Sequence, residues 1–174
     1  MTEADRRTVF NQLYADYDRR LFAYCLYVIG DRDKAKDVFQ EVYIKAYKSL
    51  HTVRDSDKLS NWLFRIARNE CLNAMKATQR VDHRTVRIDD NDQGGVHLAG
   101  PPGHYSDEIE HLHWGLNQLT PDHREALVLA EFEGYSLKEI AEMTGTSLSN
   151  VKVRIFRAKQ KLHNILQPIL NDYE

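Results

Sequence analysis

Long apolar runs are missing from this 174-residue chain. None approaches the ~18 residues needed to span a bilayer, so no membrane insertion is expected. An excess of charge of one sign is missing too. The formal net charge of −2 argues weakly against a nucleic-acid partner, although an average hides distribution. Cysteine is confined to Cys25 and Cys71, which lie inside helical patterns and form no CxxC pair. They read as buried free thiols in a reducing compartment. The opening MTEADRR is polar and charged, with no apolar run after it like that of a secretory signal, and the expected location is the cytoplasm. No nucleophile–base constellation and no phosphate-cradling glycine loop occurs, so neither catalysis, a cofactor nor a small-molecule substrate is expected. His104, His111 and His113, with Asp107 and Glu110, form a conspicuous cluster. On one helix His111 and His113 would stand about 200° apart, too far round to share an ion, and no metal site is expected.

Strand-like alternation is also absent, and a period of about 3.6 residues dominates, which predicts an all-α chain. A first helix is expected over about Arg7 to Val28, stopping at Gly30. Asp31 caps a second that runs to about Leu50, with a core stripe of Ala35, Val38, Phe39, Val42 and Ala46. Ser60 opens a third that fades near Arg80. The pattern then collapses: Gly94, Gly95, Gly100, Pro101, Pro102 and Gly103 fall within ten residues, the signature of a linker. Periodicity resumes at Asp107 with a helix to about Gln118. Thr120 and Pro121 read as an N-cap and first helical residue of a segment that Gly134 ends near Glu133. Ser136–Glu139 forms a capping box for a short helix ending at Gly145. Ser147 caps a last long helix to about Pro168. The expected architecture is two small helical domains, residues 1–80 and 107–174, joined by a flexible linker over 81–106.

Local charge departs from the average. From Asn61 to Ile88, Arg65, Arg68, Lys76, Arg80, Arg84 and Arg87 stand against Glu70 and Asp82. From Met143 to Asn171 the chain carries Lys152, Arg154, Arg157, Lys159 and Lys161 and no acid. The stretch SLKEIAEMTGTSLSNVKVRIFRAKQKL is a short helix, a tight glycine turn and a longer basic helix. In this helix-turn-helix pattern the second helix enters the major groove. At 100° per residue Val151, Ile155, Ala158 and Leu162 form its core stripe, while Ser149, Lys152, Val153, Phe156, Arg157 and Gln160 face away. Solvation alone accounts for outward lysines but not for an outward valine and phenylalanine. A groove offers them thymine methyls, and offers Arg157 or Lys152 guanine edges and phosphates; packing against another part of the protein is the alternative.

In NWLFRIARNECLNAMKATQR the apolar stripe is Leu63, Ile66, Ala67, Cys71 and Ala74. Arg65, Asn69, Asn73 and Lys76 line the opposite arc, with Trp62 and Arg80 beside them. Two asparagines a turn apart cost helix propensity but supply paired donors and acceptors suited to base edges. Trp62 can stack on an unpaired base, or it belongs to the core of an ordinary amphipathic helix. On the second helix Asp37, Gln40, Glu41, Ile44 and Lys48 lie opposite the core stripe. Charge around one exposed isoleucine suits a protein-binding face, although a solvated face looks the same.

Taken together these segments resemble the extracytoplasmic-function (group 4) sigma factors of bacteria across essentially the whole chain. DRDKAKDVFQEVYIKAYKSL is similar to the family's helix that grips the polymerase clamp coiled coil. NWLFRIARNECLN is similar to the segment that melts and reads the −10 element. LTPDHREALVLAEFEGYSLKEIAEMTGTSLSNVKVRIFRAKQKL is similar to the −35-reading module. The resemblance implies that Asp37, Gln40, Glu41 and Ile44 contact core RNA polymerase. It implies that Asn69 and Asn73, supported by Arg65 and Trp62, hold a flipped base of the melted −10 strand, and that Ser149, Lys152, Val153, Arg154, Phe156 and Arg157 read −35 duplex. Val153 stands where many members carry serine and Asn150 where glycine is frequent, so a −35 base preference does not transfer. Also implied are an anti-sigma factor, often membrane-anchored, and a linker lying along the polymerase cleft with its acidic DDND mimicking nucleic acid. A 26-residue tether reaches at most ~90 Å and averages ~28 Å as a free coil, so it is extended when the two elements are bridged. The competing reading is a helix-turn-helix regulator that binds duplex without polymerase; it leaves the Asp37 face and the Asn69/Asn73 stripe idle.

Overall fold

A computed structural model describes residues 2–53, 58–85 and 108–171. Its helices fall into two compact units. In the first, α1 (Glu3–Ile29), α2 (Arg32–Ser49) and α3 (Leu59–Thr85) pack mutually. In the second, α4 (Glu108–Asn117), α5 (Pro121–Leu127), α6 (Leu137–Thr144) and α7 (Leu148–Asn171) are arranged so that α7 touches each of the others. Among the described residues there is no strand, and no helix is long and apolar enough to cross a membrane.

Local chemistry sets the ends of the first unit's helices. Thr2 and Asp5 form a reciprocal capping box at the start of α1, five residues or so before the start the periodicity suggests. Gly30 closes α1 with φ 80°, a left-handed conformation that glycine adopts without a Cβ clash. The Asp31 carboxylate then accepts from the backbone N–H groups of Asp33 and Lys34, both at 3.0 Å, which starts α2. Helix α3 begins at Leu59, so Ser60 sits inside its first turn with Oγ 3.4 Å from Asn61 Oδ1. It also runs past Arg80 to Thr85, because VDHRT contains no glycine or proline to stop it. The rest of the linker expected over 81–106, with its DDND, lies outside the described residues, as do His104 and Asp107 of the histidine cluster.

The core of this unit includes Leu13, Leu21, Tyr24 and Cys25 of α1, Val42 and Ala46 of α2, and Leu63, Phe64, Ala67 and Cys71 of α3. Both cysteines are buried and neither is in a disulfide. Phe64, outside the expected stripe, is fully buried and meets Tyr24 edge-on at 5.4 Å. Tyr43 is buried as well, whereas Phe39 of the expected α2 stripe stays partly exposed. Tyr43 meets two rings of α1, Phe10 and Tyr14 at 5.8 and 4.7 Å, whereas Phe39 meets one, Phe22 at 5.5 Å.

In the second unit Thr120 occupies the cap position of α5, but its side chain makes no capping hydrogen bond; Pro121 supplies the preset first residue. Arg124 reaches back to the end of α4 instead, donating to Asn117 Oδ1 at 3.0 Å and to the Leu119 carbonyl at 3.2 Å. Burial pushes its guanidinium down to about 10, so it is still charged at neutral pH. The helix expected to continue to Glu133 widens into a π turn at Val128–Phe132, where Glu133 N–H donates to Val128 O at 3.1 Å. Ala126, Leu127, Val128 and Leu129 are all buried. Four consecutive residues point to more than one side of a helix, so this segment is covered on several sides rather than on one face. Helix α7 runs on through Pro168 to Asn171, a little past the expected stop.

Candidate nucleic-acid and protein interfaces

Helices α6 and α7 form the helix-turn-helix that the sequence leads one to expect. Ser136 and Glu139 exchange capping hydrogen bonds of 3.3 and 2.9 Å. Gly145 turns the chain with φ 65°, and the Ser147 hydroxyl accepts from Asn150 N–H at 3.2 Å to start α7. Val151, Ile155 and Ala158 are buried, and Leu162 partly so. With that stripe turned inward, Ser149, Lys152, Val153, Phe156, Arg157 and Gln160 are exposed. Phe156 is 67% accessible and Val153 44%. An apolar ring left so open has no internal packing to explain it.

Arg154 behaves differently from the other five expected −35 readers. It is partly buried, and its guanidinium forms an ion pair of 2.8 Å with Asp122 at the start of α5. On the opposite flank Lys159 pairs with Glu131 at 2.7 Å. The two pairs join α7 to α5 and the π turn, and the arc between them is exposed. His123, which sequence reasoning did not single out, lies in the electrostatic reach of Arg157, Arg154 and Lys161. Burial first, and then Arg157 and Arg154, hold its imidazole below the ordinary histidine value, opposed by Asp122.

Since the folded chain disfavours the proton on His123, the unfolded chain binds it first. Stability is therefore whole above about pH 6.5 and declines as pH falls from there through the lowered folded-state pKa. Replacing His123 by Gln is expected to flatten the acid-side fall of the full chain's thermal midpoint between about pH 7 and 5.5. A slope unchanged by H123Q would mean that this imidazole is not strained by its cationic neighbours.

In the first unit α3 presents Arg65, Asn69, Asn73 and Lys76 as an exposed stripe, with Trp62 partly buried at its edge. Arg80 has no described side chain. On α2, Asp37, Gln40, Glu41 and Ile44 are exposed, Ile44 at 45%. Ile44 and Gln40 also line a groove of about 530 Å³ between α1 and α2, walled by Tyr14, Phe22, Phe39 and Tyr43. Tyr14 is 44% exposed. Its part in this face was not read from the sequence, because α1 carries polar and apolar residues with little segregation between its sides. Burial pushes the Tyr43 hydroxyl well above its ordinary value, so it is neutral at every physiological pH. Among the described residues no group of His, Cys, Asp and Glu is placed to hold a metal ion.

One unit thus exposes a basic helix-turn-helix, and the other an asparagine stripe beside an acidic-apolar helix face. These are the parts of a bacterial transcription initiation factor of the sigma-70 class, and residues 13–81 match Sigma-70 region 2 while residues 115–162 match Sigma-70, region 4. The chain is 33% identical over 176 aligned residues to the RNA polymerase sigma-H factor of Pseudomonas aeruginosa, covering 97% of this chain and 91% of that one. It is 30% identical to the ECF RNA polymerase sigma-E factor of Escherichia coli, with 92% and 88% covered. Among solved structures it is similar to the sigma factor RpoE of Bartonella quintana in complex with the anti-sigma factor NepR, with a TM-score of 0.74, 28% identity, and 91% and 96% of the two chains covered. The chain belongs to the extracytoplasmic-function sigma factors.

Proposed function

We propose that this chain directs core RNA polymerase to specific promoters through three faces divided between an N-terminal domain that takes in α3 to Thr85, past the expected boundary at 80, and a C-terminal domain of residues 107–174, joined by a linker. Asp37, Gln40, Glu41 and Ile44 of α2 dock on polymerase. Ser149, Lys152, Val153, Phe156 and Arg157 of α7 read −35 duplex, with Arg154 tied to Asp122 at the edge of that surface. Asn69 and Asn73, flanked by Arg65 and Trp62, capture unpaired bases of the −10 strand.

Opening is driven by binding rather than by nucleotide hydrolysis. Unstacking a base costs a few kcal/mol, while stacking and hydrogen bonding return roughly 1–3 kcal/mol per base. Such near-balance calls for the polymerase scaffold to tip it. Control by an anti-sigma factor accords with the similar Bartonella quintana protein, whose structure is that of such a complex. A membrane-anchored inhibitor would hold an otherwise cytoplasmic factor near the inner membrane.

The single observation that carries this reading is the exposed asparagine pair on a basic helix, in a unit separate from the helix-turn-helix. A duplex-only regulator has no use for it. Purified full-length chain mixed with core polymerase is expected to yield promoter-specific transcripts and a footprint that core polymerase is needed to form. An equal footprint without polymerase, and no transcript with it, would select the duplex-binding regulator instead.

A further inference from the structure

Glu70 stands in the middle of the basic helix α3, one residue from Asn69, where a bare carboxylate would repel a nucleic-acid strand. It does not face outward. Its side chain is only 14% exposed, and Oε1 lies 2.7 Å from Nζ of Lys45 on α2. Lys45 in turn follows Ile44 in the chain. A second tie joins the same helices further along α3: Lys34 Nζ lies 3.5 Å from Thr78 Oγ1, which also donates to the Ala74 carbonyl at 3.2 Å. Glu70 and Thr78 are eight positions apart, about 12 Å along the axis, and Asn73 falls between them. The cationic ends of two α2 side chains therefore grip α3 on both sides of Asn73, and the firmer grip is beside Asn69.

We infer that Glu70 is a positioning residue for the strand-capturing face of α3: paired with Lys45, it sets the rotation of that face relative to the docking face of α2. The inference rests on the assignment of Asn69 and Asn73 made above. Hydrogen bonds to a flipped base demand its edge within a few tenths of an ångström, so a small roll of α3 about its axis costs capture without unfolding anything. The pair also withdraws a negative charge from the strand's path.

The test uses full-length protein with core polymerase, reading opening by a fluorescent base in the −10 element and polymerase affinity in parallel. Glu70→Gln and Lys45→Met are each expected to lower opening ~3- to 5-fold, the scale of a partly exposed ion pair. The double variant should be no worse than either single one, and the exchanged pair K45E/E70K should recover most of the loss. Polymerase affinity and the thermal midpoint should stay near wild type. If Glu70 acts only as a bare charge, E70Q raises affinity for single-stranded −10 DNA while K45M lowers it; opposite signs overturn the inference, as do additive losses or variants that open like wild type. N69A/N73A is run alongside. Opening that survives it overturns both the assignment and the inference, whereas opening that it abolishes while E70Q leaves intact overturns only the inference.

Discussion

Replacing Asn69 and Asn73 together by alanine is expected to abolish promoter opening while leaving polymerase binding near normal. Each asparagine offers a base edge a donor and an acceptor, an arrangement worth about 1–3 kcal/mol of discrimination per well-made pair. At 1.4 kcal/mol per tenfold, losing both lowers opening by roughly 30-fold to 10⁴-fold. The folded chain should tolerate the change, because both side chains are exposed and alanine is the better helix former. Thermal melting thus serves as the control, expected to be unchanged or slightly raised. Opening is measured on a promoter that carries its −10 element, and affinity for core polymerase by titration. Polymerase binding lost together with opening would mean that this stripe docks on protein, and that strand capture lies elsewhere.

The second large effect is expected at Arg157. It is exposed on the arc of α7 between the two bracing ion pairs. Arg157→Ala should weaken −35 duplex binding about 10- to 100-fold, the span covered by removing a bidentate or charge-assisted hydrogen bond. Salt titration separates the two modes. If Arg157 neutralises a phosphate, its removal lowers the salt slope by about 0.9 and weakens all sequences alike. If it reads a guanine edge, the slope stays nearer its original value and preference relaxes at one position. The change has a second readout, because Arg157 contributes to holding His123 below its ordinary pKa. In R157A the imidazole should titrate higher, visible in the proton resonances of its ring. No change in duplex affinity would move the reading surface off this arc.

The exposed arc of α7 was legible because its causes are local. Ser136, Glu139, Gly145 and Ser147 are capping residues at fixed spacings, and their hydrogen bonds depend on neighbours within four positions. Once those ends are set, the 100° step places Val151, Ile155 and Ala158 inward and Val153 and Phe156 outward. The same reasoning put Asn69 and Asn73 on an exposed face of α3 and Ile44 on an exposed face of α2. The π turn at Val128–Phe132 escaped because an apolar run such as LVLAEF is equally compatible with a regular helix and carries no glycine or proline to mark the change. Thr120 misled in a smaller way: it stands at a cap position, yet Arg124 satisfies the end of α4 and the threonine hydroxyl makes no capping bond.

By itself, then, the order of side chains determined helix positions to within a few residues, the inward and outward faces, and the membership of this chain among sigma factors, because each depends on short-range periodicity and caps or on motifs contiguous in the chain. Tertiary structure alone decided which charges are spoken for. Arg154 is drawn to Asp122 and Glu70 to Lys45, partners 32 and 25 positions away in the numbering. Tyr43 is buried more deeply than Phe39, with two rings of α1 on it where Phe39 has one. The physical reason is the same in each case. Pairing and packing across helices depend on how the helices are rolled and spaced, and no periodicity within a single helix contains that information.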